Sequence, residues 1–81
     1  MVFVRITGEE NGVYTAEYRP GSEDAAPGVI TFDPEADEWG VVEVSPDDDM
    51  DASWYRGHAF AALRRMTSET PVRTDGCSVW A

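Results

Sequence analysis

The sequence predicts an α+β fold: an antiparallel β-meander of four short strands, one amphipathic helix packed across the sheet, and a short C-terminal strand, in the order β-β-β-β-α-β. Three observations carry this expectation. Apolar residues alternate with period two through the first half of the chain, the period changes to 3.6 between Asp51 and Thr67, and turn-forming residues separate the segments.

The first two strands read as a hairpin. Val2, Val4 and Ile6 alternate with Phe3, Arg5 and Thr7, and Tyr14, Ala16 and Tyr18 alternate with Val13, Thr15 and Glu17. Between them stands Asn11-Gly12, the dipeptide favoured in type I′ turns because both central residues need positive φ. Residues 20–28 form a loop by composition. Val29 to Phe32 is the third strand, closed by Asp33-Pro34, and Trp39 to Val44 is the fourth, stopped by Ser45-Pro46.

The helix follows from Ala52, Tyr55, Ala59, Ala62 and Met66, which recur on one face, with Leu63 and His58 on the margins of that stripe. Asp49 or Asp51 is the expected N-cap, since carboxylates near a helix start complement its positive end. Arg64 and Arg65 fall toward the other end, where cations are favoured, and Pro71 lies beyond the stop. Cys77 to Ala81 is read as the last strand, with Cys77 as a small buried hydrophobe.

Eighty-one residues make a single domain, 1–81, with roughly 63 % of the unfolded surface buried on the area scaling for this mass. Such a core is marginal. One cysteine excludes an internal disulfide and one histidine excludes a Cys/His zinc quartet, so oligomerisation is the expected supplement. Sixteen acidic against six basic residues give a net charge of −10, which argues against nucleic acid and anionic membranes as partners. The acid is uneven: residues 1–51 carry net −12 and residues 52–81 net +2. The N-terminal apolar stretch is too short for a signal peptide, no window reaches the about 20 apolar residues of a membrane span, and a cytoplasmic protein is expected.

Catalytic signatures are missing. The chain has no Gly-Xaa-Ser-Xaa-Gly, no P-loop, no dinucleotide fingerprint, no His-Glu-Xaa-Xaa-His and no Cys-Xaa-Xaa-Cys, and no cofactor is expected. Asp47, Asp49 and Asp51 occupy alternate positions of an EF-hand loop, but Ala52 stands where glycine is needed and His58 where a bidentate Glu is needed. A solvated, helix-capping run is the favoured account of these acids, with a cation site as the weak alternative. Tyr55, His58 and Cys77 are the candidates to line a ligand pocket, because they include the one imidazole and the one thiol.

The aromatic residues point elsewhere. On the helical wheel Trp54 and Phe60 lie about 120° to either side of the core stripe, with Gly57 and Ala61 between them on the outer face and Arg64 beside them. Gly57 costs about 1 kcal/mol relative to Ala in a helix interior, so close approach of another surface is the expected reason for it. Tryptophan and arginine also dominate interface energetics. The expected function is therefore a non-enzymatic protein–protein interaction module that acts as a homodimer or with another protein. A small enzyme or ligand-binding protein with a pocket near His58 and Cys77 is the first alternative, and an acidic mimic of nucleic acid the second.

Overall fold

The computed structural model describes residues 1–48 and 54–79. Strands β1 (Val2–Glu10), β2 (Val13–Pro20), β3 (Gly28–Asp33) and β4 (Glu38–Glu43) precede helix α1 (Trp54–Ser68) and strand β5 (Asp75–Ser78). All pairings are antiparallel and the strand order is β4-β3-β2-β1-β5. The α+β meander predicted from periodicity is thus the observed architecture. The helix carries the chain from one sheet edge to the other.

The hairpin forms for the reason its sequence gives. Asn11 and Gly12 have φ of 54° and 84°, the two positive values that match a tight turn to the twist of its strands. Opposite Thr15 the register slips between Ile6 and Gly8, a bulge at Thr7. The β3–β4 turn uses side-chain chemistry instead: Asp33 Oδ1 accepts hydrogen bonds from the backbone N–H groups of Glu35 and Ala36, and Asp37 adopts φ 54° before β4 begins.

One face of the sheet meets the helix. Val2, Val4, Ala16, Tyr18, Ile30 and Phe32 from the strands close over Ala59, Ala62, Leu63 and Met66. Each of the largest of these side chains stabilises the fold by about 1.5–3 kcal/mol through burial. Leu63, expected at the margin of the stripe, is fully buried near its centre, while Tyr55 is only partly buried. The reason is the placement of the helix. Tyr55 lies toward the loop at Gly21, where its hydroxyl sits near that residue, whereas Leu63 is fully enclosed within the core cluster.

Two expectations about the C-terminal strand need correction. It begins at Asp75, two residues earlier than read from sequence, because Asp75 pairs with Arg5 and Gly76 tucks beneath Met66. Alternation then turns Gly76 and Ser78 toward the helix and leaves Cys77 exposed beside Phe3, so the thiol is no buried hydrophobe. The expected caps Asp49 and Asp51, and Ala52 of the stripe, lie outside the described residues.

Candidate functional site

The edge strand β4 differs from every other strand in its exposure. Five of its six residues are exposed, and Trp39, Val41, Val42 and the following Val44 are 43, 45, 67 and 47 % accessible. One side of β4 is paired to β3, and among the described residues its other side has no strand neighbour. An edge of this kind presents unpaired backbone N–H and C=O groups beside apolar side chains.

Local sequence explains the geometry. Trp39 faces Phe32 across the β3–β4 ladder, so it lies on the helix side of the sheet, and Val41 faces Ile30 on the same side. The register slips between Val29 and Ile30, which leaves Val42 as the extra residue of a bulge. Two adjacent valines on one strand cannot both be buried against one face. The bulge keeps Val41 aligned with the core and turns Val42 out.

Trp39 is held in place by three neighbours. Its ring stacks on Phe32 at 5.3 Å between centroids and lies 4.8 Å from Phe60 of α1. The guanidinium carbon of Arg64 stands 4.9 Å above the same ring. Arg64 Nη2 in turn donates to both carboxylate oxygens of Asp37 at 2.8 and 2.9 Å. These contacts fix the indole at the mouth of the gap between β4 and α1, with part of its surface in solvent.

The far end of β4 is anchored by a buried polar cluster. Tyr18, fully buried in β2, donates its hydroxyl proton to Asp48 Oδ2 at 2.9 Å and accepts the backbone N–H of Ser45 at 3.0 Å. Arg56 Nε approaches the same Asp48 oxygen at 3.6 Å, and Asp48 is the more deeply buried of the pair. Among the described residues, Asp48 Oδ1 and Arg56 Nε have no hydrogen-bond partner. Burial pushes the Tyr18 phenol above its ordinary value, with smaller contributions from the Asp48 hydrogen bond and charge in the same direction; the Ser45 N–H and Arg56 oppose them. Nearby, the Ser45 hydroxyl bonds the Ala26 carbonyl and Asp47 Oδ2 accepts the Ala26 N–H at 2.7 Å. The segment leaving β4 is therefore tied to β2, to the 20–28 loop and to α1.

The comparisons decide no family. No protein-family model, no curated protein and no solved structure matches this chain.

Residues singled out from the sequence fall into different places. Phe60 folds back over the sheet edge onto Trp39 and is half-buried. Trp54, Gly57 and Ala61 remain exposed on the outer helix face, with Trp54 edge-on to His58 at 5.6 Å. Among the described residues nothing stands within 4 Å of a Cβ built on Gly57, so none of their packing requires glycine there. Tyr55 and His58 belong to the helix side of the sheet and Cys77 to the opposite face, so the three are not brought together. Asp47 serves the 20–28 loop; Asp49 and Asp51 lie outside the described residues, among which no group of three His, Cys, Asp or Glu is placed to hold a metal. Among the same residues no helix is long and apolar enough to cross a membrane.

The open face of the sheet holds a shallow groove of about 550 Å³ lined by Phe3, Arg5, Glu17, Arg19 and Asp75. Glu23 and Asp24 line it as well, and its two arginines are each engaged by a neighbour. Arg5 Nε donates to Asp75 at 2.9 Å, which raises the Arg5 pKa through that hydrogen bond and the accompanying charge. Arg19 bonds the Ala25 carbonyl and Glu17.

The exposure of β4 is not legible from periodicity. Strand order is not written in periodicity, so an edge strand and an interior strand look alike. The available signal was Val41-Val42, an adjacent apolar pair that breaks the alternation.

Proposed function

We propose that this protein is a non-enzymatic interaction module whose working surface is the edge of β4 and the Trp39–Phe60–Arg64 corner beside it. The observation that carries this reading is the exposure of Trp39, Val41, Val42 and Val44 on a strand with one unpaired side. Edge strands of monomeric proteins are ordinarily blunted by charge, bulges or cover; β4 carries a glutamate at each end and a bulge at Val42, and between them still leaves an apolar stretch on which another chain can pair. Strand addition is also a recurrent mode of peptide recognition, with affinity from main-chain hydrogen bonds and specificity from alternate side chains. Catalysis has less support, since Tyr55, His58 and Cys77 are divided between two faces of the sheet.

Controlled capture tests the reading. Wild-type protein, an edge variant Val42→Lys and an open-face control Thr31→Lys are each immobilised and exposed to the same host extract. A species retained by wild type and control but lost from the edge variant supports β4 as the working surface. Retention by all three, or by none, contradicts it.

A second reading keeps the homodimer. It is favoured by the exposed Trp54 next to Gly57, over which there is open space for a second copy of the helix. Light scattering behind size exclusion tests it: a dimer that becomes a monomer on Trp54→Arg supports it, and a monomeric wild type ends it.

A further inference from the structure

We infer that the occupant of the β4 edge is an extended, basic segment of another protein, alternating apolar residues with Lys or Arg, adding itself as a strand beside Glu38–Val41 and continuing past the bulge toward Glu43. This rests on the reading of β4 as the working surface and assigns the chemistry of its partner.

Charge makes the assignment. Residues 33–48, which hold β4 and both of its flanking turns, contain seven acidic side chains and no basic one. Glu38 and Glu43 stand at the two ends of the strand, and both are exposed. Arg64, the helix cation that reaches this edge, is already engaged by Asp37. A strand laid along β4 therefore meets carboxylates at both ends and apolar side chains between them. Opposite charges on facing strands stabilise a pair and like charges directly opposite destabilise it.

The same charges disfavour a second copy of the chain at this edge. In the antiparallel register centred between Gly40 and Val41, Glu38 of each copy would face Glu43 of the other. Two chains of net charge −10 also repel at longer range. The pattern is what discrimination by repulsion requires: an attractive apolar centre, and ends that reject acidic strands.

Geometry limits the length. Six residues of strand span about 20 Å at the usual rise, and the Val42 bulge bends the last part, so straight pairing runs over Glu38–Val41. Past that point Val42 and Val44 offer side chains rather than a regular ladder.

The probe is a synthetic octapeptide alternating Val with Lys, compared by isothermal titration with a twin alternating Val with Glu and with the Lys peptide N-methylated at alternate backbone positions. The Lys peptide is expected to bind the full chain at least tenfold more tightly than either comparison peptide, and the double variant Glu38→Lys/Glu43→Lys is expected to reverse the charge preference. Equal binding of the Lys and Glu peptides overturns the assignment, as does equal binding of the N-methylated form or no binding of any. A wild-type dimer whose β4 amides are protected from exchange also overturns it, since the occupant is then a second copy. If Val42→Lys loses a captured species while the Lys peptide shows no preference, β4 remains the working surface and only the charge assignment falls.

Discussion

The phenol oxygen of Tyr18 lies 2.9 Å from Asp48 Oδ2, and that contact joins the centre of the sheet to the chain leaving β4. The same oxygen accepts the Ser45 N–H, so one hydroxyl serves both a buried carboxylate and a buried backbone group. It holds the end of the exposed edge strand in place.

Removing that hydroxyl is expected to be costly. Tyr18→Phe keeps the ring and its packing but leaves the Ser45 N–H unpaired and withdraws a hydrogen bond from a buried charge. Urea unfolding should show a loss of about 1.5–3 kcal/mol, the range for a hydrogen bond to a charged group. A loss below about 0.5 kcal/mol would show that the cluster contributes little.

Alkaline pH should attack the same point. The Tyr18 pKa is raised in the folded protein, so above the ordinary tyrosine value near 10 the unfolded chain releases this proton while the native state keeps it. Native protein then binds more protons than unfolded protein, and stability falls with rising pH from about 10 upward. Stability followed by urea unfolding from pH 8 to 11 should decline in that window in wild type. Tyr18→Phe should show a shallower decline.

Two glycines should respond with opposite signs. A Cβ on Gly28 would collide with Tyr18 Cε1 and stand 2.7 Å from the Ser45 nitrogen, both fixed by the cluster, so Gly28→Ala should cost about 3 kcal/mol or prevent folding. Gly57 has open space around it in a helix interior, so Gly57→Ala should stabilise by about 0.5–1 kcal/mol. Thermal unfolding of the two variants beside wild type checks the contrast.

Much of the fold was legible because its signals are local. Positive φ at Asn11-Gly12 and the alternation of Val2, Val4, Ala16 and Tyr18 are properties of neighbouring residues, and the structure uses each as expected. The helix stripe is local as well, but it centres on Leu63 because the crossing of helix over sheet is set by tertiary packing. What could not be read depends on residues distant in sequence. Tyr18, Ser45, Asp48 and Arg56 meet across up to 38 positions, and none announces the others except that a buried phenol requires a partner. Phe60 illustrates the same limit: its wheel position suggested the outer face, and Trp39, far away in the chain, draws it onto the sheet edge.

The edge itself should tolerate charge in the isolated protein. Val42 is 67 % exposed at a bulge, so Val42→Lys should change unfolding free energy by no more than about 0.5 kcal/mol. Its effect belongs to binding. A large loss of stability would mean that Val42 packs within the chain and is no free contact.

The most direct measurement is a ¹H–¹⁵N correlation titration of the full chain with the Val/Lys octapeptide. The account predicts that the amides of 38–44 shift together with the Trp39 indole N–H, while those of the outer helix face at Gly57 and Ala61 and of the open sheet face at Arg5 and Cys77 stay still. Shifts confined to the helix face or the open sheet face, with 38–44 unmoved, would contradict it.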